Sequence, residues 1–347
     1  MRNVKQAVIM VGGQGTRLMP FTKHRPKPAL PVLNKPCLRY LLESMAEAGI
    51  KEVILACGTG YRSQPLKDAI GDGSDMGMSI DYSYEEEPLG TGGGMKLIKD
   101  RLDDVFVAAN GDVFADILLN EQIDAHFSSK ADVTIALTGV KDEDRPKFGI
   151  AIIDADGRIT EFKEKPKVNE TSSNLANAGI YVINKDVLSL IKENKFDFSK
   201  DLVPKLMKER KRIQGFMLKG TWRDVGRPGD LLDVNIDMAA KHGDGTWEKK
   251  VSRSTVKKPL FMGEAASVSG SDLSSAVILN GTKVVNSTVN KAMIMSNCTI
   301  LSATIRNSII GAGCMICPGA EIIDSDIEDG LTIGVDKKIT GERVKKE

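Results

Sequence analysis

Gly12-Gly13-Gln14-Gly15-Thr16-Arg17-Leu18 places three glycines within four positions, next to a hydroxyl and a cation. A backbone without Cβ atoms bends tightly and can turn several amide N–H groups toward one anion. Arg17 adds a guanidinium whose fixed fork matches phosphate oxygens, and Lys27 adds a mobile ammonium a short way on. Pro26 and Pro28 restrict the backbone on either side of Lys27 and give the lysine a defined direction. The alternative is an ordinary glycine turn with a surface arginine and a proline-rich loop. Two familiar phosphate loops are excluded. The P-loop would need Lys-Ser or Lys-Thr after its glycines, and the dinucleotide fingerprint would need glycine where Leu18 stands. Two carboxylates stand out further along, Asp112 just past an apolar run and Asp224 in Trp222-x-Asp224-x-Gly226. Taken singly, each reads as an aspartate closing a turn. The histidines, His24, His126 and His242, match no motif.

These residues need a scaffold, and the first half of the chain supplies its pattern. Ala7–Val11 reads as a buried strand running directly into the glycines. Pro36 opens a helical stretch with Leu38, Leu41, Leu42 and Met45 on one face, and Gly49 closes it. Val53–Ala56, Val105–Ala108 and Val133–Leu137 read as further strands. Strands alternating with helices predict an α/β fold, a mostly parallel, Rossmann-like sheet covered by helices on both faces. Ligands of such sheets bind at the carboxyl ends of the strands, where the polar motifs fall here.

After a helix around Leu231–Met238 and a polar connector, the pattern changes. Leu273, Ile278, Val284, Val289, Ile294, Ile300, Ile305, Ile310, Ile316, Ile322, Ile327 and Ile333 follow one another five or six residues apart. Every third one advances by 16 residues at first and by 17 later. That is the mark of a three-sided coil with one inward aliphatic per side. Asn280-Gly281, Asn286-Ser287, Asn307-Ser308, Gly311, Gly313 and Pro318-Gly319 provide its corners. Hairpins would space strands at about 8–12 residues, so a parallel β-helix is expected instead of a sandwich. The expected organisation is a catalytic domain over 1–235, a linker helix and connector over 236–262, the β-helix over 263–335 and a frayed charged tail over 336–347.

Bulk properties narrow the function. At 347 residues the chain is long enough for two domains. Lys+Arg total 48 against 47 Asp+Glu, so the net charge of +1 gives no reason to expect a nucleic-acid partner. Any polyphosphate must be held by local donors instead of by the field of the whole chain. The five scattered cysteines, without a signal peptide, read as reduced thiols of a cytoplasmic protein. Cys314-x-x-Cys317 lacks the second ligand pair that a zinc site needs. No apolar run approaches the ~20 residues of a membrane span.

The motifs in their order resemble the sugar-phosphate nucleotidyltransferases. The glycine loop with Pro20 and Arg25-Pro26-Lys27-Pro28 looks like that family's opening signature. The likeness continues through Glu87-Pro88-Leu89-Gly90-Thr91-Gly92, Asn110-Gly111-Asp112, Phe148-Gly149, Phe162-x-Glu164-Lys165-Pro166, Asn177-Ala178-Gly179-Ile180-Tyr181 and Trp222-x-Asp224-x-Gly226. The resemblance implies a left-handed hand for the β-helix, which spacing alone does not give. It also implies in-line attack of a sugar-phosphate oxygen on the α-phosphorus of a nucleoside triphosphate, with pyrophosphate leaving. Such a reaction depends on positioning and charge neutralisation, not on a covalent intermediate.

By the same resemblance, Arg17 and Lys27 are the catalytic cations, Arg17 on the triphosphate and Lys27 near the α-phosphorus. Gly12, Gly13, Gly15, Thr16, Glu87, Gly90 and Thr91 are the nucleotide-binding positions, and Gly149, Glu164, Lys165 and Asn177 those for the sugar phosphate. Asp112 and Asp224 pair as ligands of Mg²⁺, an ion usually held by one or two carboxylates together with substrate phosphates.

A carboxylate such as Glu87 suits the two adjacent N–H donors of guanine, and the run from Glu85 to Thr91 is similar to mannose-1-phosphate guanylyltransferases. Gly111 departs from that pattern, in which serine is usual, and is the residue found in glucose-1-phosphate enzymes. GTP with mannose 1-phosphate is therefore expected, with UTP or dTTP and glucose 1-phosphate as the alternative. A non-catalytic subunit that senses nucleotide-sugar is the alternative of another class. The β-helix offers no histidine after His242 for acyl transfer, and a homo-oligomer formed through it is expected.

Overall fold

The computed structural model describes residues 4–13, 15–58, 63–192, 195–243 and 247–346, so Gln14 of the glycine loop lies outside the described residues. The chain divides into two compact units, residues 1–13 with 38–222, and residues 14–37 with 223–347.

The first unit is built on one mixed sheet. Gln6–Met10 lies between Glu52–Cys57 and Val105–Asn110, parallel to both, and Ser79–Tyr84 extends the parallel part beyond Glu52–Cys57. Leu175–Asn184 then runs antiparallel to Val105–Asn110 and to Val133–Gly139. The central strands send alternate residues to opposite faces, as the two-residue period requires. Ala7, Ile9, Leu55, Val107 and Ala109 join a core with Leu38, Leu41, Leu42 and Met45 of the helix Cys37–Glu47. Val8, Ile54, Ala56, Phe106 and Ala108 join the core on the other side. The apolar runs read as strands therefore form strands buried on both faces. The helix stops at Glu47, and Gly49 takes the left-handed conformation beyond it.

In the second unit the helix Pro228–His242 leads to a three-sided parallel coil. All twelve aliphatic positions of the spacing are buried. Leu273 pairs with Val289, Ile278 with Ile294 and Val284 with Ile300, each 16 residues on. Ile305 pairs with Ile322, Ile310 with Ile327 and Ile316 with Ile333, each 17 residues on. The strands Asp272–Ile278, Thr288–Ile294 and Thr304–Ile310 each turn a corner midway, at Ser275, Lys291 and Asn307, where φ is +50°, +44° and +44°.

The coil is longer than the 263–335 span expected of it. Thr255–Met262 pairs with Asp272–Ile278 before it, and Lys338–Thr340 and Arg343–Val344 pair with strands beyond it. Ile339 points inward and is 3% exposed, so apolar burial continues into the charged segment.

Candidate active site

The first strand delivers the glycine loop at its carboxyl end. The Val11 N–H donates to Ala56 O, and beyond it the backbones of Gly12 and Gly58 touch. A Cβ on Gly58 would lie 3.2 Å from Gly12 Cα and from Gly12 O. Gly13 is exposed, with nothing within 4 Å of a Cβ built on it.

The strand Val105–Asn110 ends beside the first, and the Gly111 N–H donates to Met10 O at 2.8 Å. A Cβ at position 111 would stand 2.4 Å from Val11 Cγ1 and 2.9 Å from Ile9 Cγ2. Glycine is thus demanded here by the branched residues of the neighbouring strand. Asp112 follows directly and is half-buried. Gly179, at φ +74°, gives room to Asn110, whose Nδ2 would lie 2.6 Å from a Cβ there.

In the segment expected to read the base, Glu87 is exposed. Glu85 instead turns back on its own chain. Its Oε2 accepts from the Leu89 N–H at 3.0 Å, and burial raises its carboxyl above the ordinary value. The helix Gly90–Leu97 docks on the chain around Phe196. The N–H groups of Gly92 and Gly93 donate to Phe196 O, and a Cβ on Gly90 would lie 2.8 Å from that oxygen. Thr91 Oγ1 donates to Asp197 Oδ2 at 3.2 Å and accepts from the Phe198 N–H at 2.8 Å. Gly90 and Thr91 therefore hold this helix against residues 196–198.

The residues expected at the sugar come together in the same unit. Glu164 ends the strand Ile159–Glu164 and pairs across the ladder with Gly149. A Cβ on Gly149 would meet Glu164 Oε2 at 2.7 Å and Phe162 Cζ at 2.4 Å, so glycine leaves the space that both side chains use. Glu164 Oε2 is buried without a hydrogen-bond partner. Burial raises the Glu164 carboxyl, Asp197 adds to the rise, and Lys165 opposes it. Lys165 is exposed, holds a left-handed φ of +48°, and donates its N–H to Phe148 O.

Asn177 is 8% exposed. Its Nδ2 donates to Tyr181 OH at 3.0 Å and Ser199 Oγ at 2.8 Å, while its Oδ1 accepts from the Gly179 N–H. Both amide donors are thus spent on the protein, and the spare lone pair of Oδ1 is what remains for a hydroxyl donor. Tyr181 stands in the same sequence motif as Asn177, whereas nothing in the sequence around Ser199 signals its part.

The second unit holds the cations. Gly15 has φ +62°, and its carbonyl accepts from Thr22 Oγ1 at 2.8 Å. The single turn Thr16–Leu18 follows and leaves Thr16 and Arg17 exposed. Lys27 opens the turn Lys27–Ala29 immediately after Pro26 and is only 6% exposed. Its Nζ lies 3.5 Å from Asp224 Oδ1. A Cβ on Gly226 would lie 3.5 Å from Asp224 Oδ2 and 3.6 Å from Arg17 Nη2, so Arg17 and Asp224 meet at this glycine, with Lys27 on the other oxygen of Asp224.

Asp112 belongs to the first unit and Asp224 to the second. Among the described residues no three His, Cys, Asp or Glu side chains converge as a metal-binding group. Asp112 and Asp224 are each half-buried, and Mg²⁺, which keeps waters and takes phosphate oxygens, usually needs only one or two carboxylates from the protein.

Among curated proteins, the chain is 38% identical over 236 residues to a mannose-1-phosphate guanylyltransferase of Mycobacterium tuberculosis, 67% of this chain and 64% of that protein. It is 35% identical over 255 residues to a mannose-1-phosphate guanyltransferase of Candida albicans, 71% of this chain and 68% of that one. The chain thus spans under two thirds of the Mycobacterium relative. Among solved structures, a putative glucose-1-phosphate thymidylyltransferase from Bacillus anthracis, in complex with a sucrose, superposes with a TM-score of 0.60 at 26% identity. That match covers 67% of this chain and 94% of the other. HddC from Yersinia pseudotuberculosis complexed with GMP-PN gives 0.57 at 26%, over 68% of this chain and all of its own. A family model described as nucleotidyl transferase takes in residues 6–241, the stretch that carries every motif from the glycine loop to Gly226, and the chain belongs to that family.

Proposed function

We propose that the chain transfers a nucleoside monophosphate from a nucleoside triphosphate to a hexose 1-phosphate, releasing pyrophosphate, with GTP and mannose 1-phosphate as its substrates. The likeness to relatives named for that reaction carries the choice of pair. Gly111, the departure from their pattern, has its own cause in the packing against Val11 and Ile9, so it does not argue for another base.

In this reading Arg17 and the amides of Gly12, Gly13, Gly15 and Thr16 grip the triphosphate. Lys27, buried and backed by Asp224, stabilises charge that builds on the reacting phosphates. Asp112 and Asp224 hold Mg²⁺, which neutralises phosphate charge when bound. Exposed Glu87 accepts from the Watson–Crick edge of guanine, while Gly90 and Thr91 fix the helix that follows it. Glu164 accepts sugar hydroxyls on its unpartnered oxygen, Asn177 adds the spare lone pair of its amide, Lys165 takes the sugar phosphate, and Gly149 makes room for Glu164. Residues 1–235 form the catalytic domain, and the coil serves subunit contacts in a cytoplasmic homo-oligomer. No helix among the described residues is long and apolar enough to cross a membrane.

The Bacillus neighbour favours dTTP with glucose 1-phosphate as the second reading. A pyrophosphate-release assay with Mg²⁺ tests both, crossing four nucleoside triphosphates with mannose and glucose 1-phosphates. Highest turnover with GTP and mannose 1-phosphate, lost in Asp112→Ala, is the expected result. Saturable nucleotide-sugar binding without turnover for any pair would move the reading to a sensing subunit.

A further inference from the structure

Between Gly15 and Cys37 the chain carries Arg17, Lys23, Arg25, Lys27 and Lys35 and not one aspartate or glutamate. Its regular structure in that stretch is two single helical turns and a short two-residue ladder. A loop so cationic, with Lys27 buried in it, repels itself unless carboxylates come from elsewhere in the sequence. They come from beyond residue 222: Asp224 faces Lys27, Glu328 faces Lys23, and Asp329 faces Arg25.

Glu328 and Asp329 stand side by side at a corner of the coil, and each divides its two oxygens in the same way. Glu328 Oε2 accepts from the Lys346 N–H at 2.7 Å, while Oε1 lies 2.8 Å from Lys23 Nζ. Asp329 Oδ1 accepts from the Ala312 N–H at 2.9 Å, while Oδ2 takes the Arg25 guanidinium. One oxygen is fixed by the coil backbone and the other is presented to the loop. The Arg25 guanidinium also reaches Met295 Sδ at 3.6 Å, and Arg343 Nη1 donates to Arg17 O at 3.3 Å. An exposed ion pair would do little, but Glu328 is 1% exposed and each carboxylate has one oxygen held by a backbone N–H of the coil.

We propose that Glu328 and Asp329 are positioning residues for the phosphate loop, making the coil a bracket that holds Arg17 and Lys27 in their places. This rests on the nucleotidyl-transfer reading for its effect on turnover, and on the geometry alone for its effect on the loop. The coil then has a role inside each subunit, separate from any contact between subunits.

The test uses the full chain with Glu328→Gln, Asp329→Asn and the double variant. Glu321→Gln serves as control, since Glu321 pairs with Lys338 of the coil itself. Two readouts are taken, steady-state turnover and hydrogen exchange of the loop amides. Expected are a fall in kcat of about tenfold or more in the double variant, with the KM for hexose 1-phosphate within about twofold and an unchanged thermal midpoint. Loop amides should exchange about tenfold faster. Glu328→Asp should recover part of both, and Glu321→Gln should change neither.

Parent-like kcat and loop exchange in the double variant would overturn the proposal, as would activity that falls only in step with the midpoint. Should the coil variants fold poorly, Lys23→Gln and Arg25→Gln break the same pairs from the loop side and must reproduce the loss. If the parent chain turns over no substrate pair, the functional reading fails, and loop exchange alone decides whether the bracket exists.

Discussion

Val11 Cγ1 occupies the space that a Cβ on residue 111 would need, 2.4 Å from it, so the branched side chain of one strand and the missing side chain of the next are a single packing solution. Both lie at the carboxyl ends of adjacent parallel strands, where the glycine loop and the Asn110-Gly111-Asp112 turn leave the sheet. Packing against Val11 thus gives the glycine at 111 a cause of its own, apart from the choice of nucleotide base.

Gly111→Ser should accordingly lower stability by about 1–3 kcal/mol, the usual cost of overpacking a tight site. Val11→Ala in the same chain should recover part of that loss, because the nearer clashing methyl is gone while Ile9 Cγ2 stays. The ratio of kcat/KM for GTP over dTTP should stay constant across parent, single and double variants. Urea melts and a competition assay measure the two effects, and a changed base preference in Gly111→Ser would contradict a purely steric origin.

Glu164 makes a pH prediction. Burial raises its carboxyl, with Lys165 pulling the other way, so it gains its charge at a higher pH than the ordinary ~4.3 of a glutamate. Only the ionised form is a full acceptor for sugar hydroxyls. The KM for hexose 1-phosphate should therefore rise as pH falls, starting above the range of an ordinary carboxyl. Glu164→Gln should flatten that limb while leaving the KM for the triphosphate nearly unchanged. A limb that persists in Glu164→Gln belongs to another group.

Lys27 is buried, and its carboxylate partner Asp224 comes from the far end of the catalytic segment. If its ammonium stabilises charge in the transition state, Lys27→Met should cost roughly 10²–10³ in kcat, the usual loss for one well-placed donor. Lys27→Arg should recover little, because a planar fork cannot replace a compact charge in so enclosed a place. Single-turnover rates of the purified variants give the numbers, and a Lys27→Met variant with more than about a tenth of parental kcat would remove the lysine from the chemistry.

The coil was legible because its cause is local: an aliphatic every five or six residues lets each side bury one, and the steps of 16 and 17 reappear as Val289↔Ile305 and Ile305↔Ile322. The parallel strands were legible for the same reason, since runs such as Val105–Ala108 suit strands buried on both faces. Their company was less so. Leu175–Asn184 is as apolar as its neighbours, and nothing in its composition says that it runs antiparallel. In the site, glycines and lone cations stood out because few other residues do what they do. Ser199 was invisible because a serine counts only when the fold sets it 2.8 Å from Asn177 Nδ2. The roles expected of Gly90 and Thr91 gained a structural one, since both grip the segment around Phe196, 106 residues away from Thr91 in the case of Asp197.

The coil also stores a charge that it would fold better without. Burial pushes the Asp326 carboxyl up to about 6, against the pull of the neighbouring Arg343. A raised acid binds its proton more tightly in the folded chain than in the unfolded one. Between the ordinary ~3.9 of an aspartate and about 6, the native state therefore holds more protons, and stability falls as pH rises through that window. Asp326→Asn removes the titrating group and keeps the shape, and it leaves behind Arg343, which is half-exposed and can turn to water. The variant should thus melt higher than the parent at about pH 7.5, by a few degrees on the usual scale, with the advantage shrinking toward about pH 4. Thermal melts of both chains across that range measure it. A variant that melts lower at neutral pH would mean that the pair with Arg343 outweighs the burial of the carboxylate.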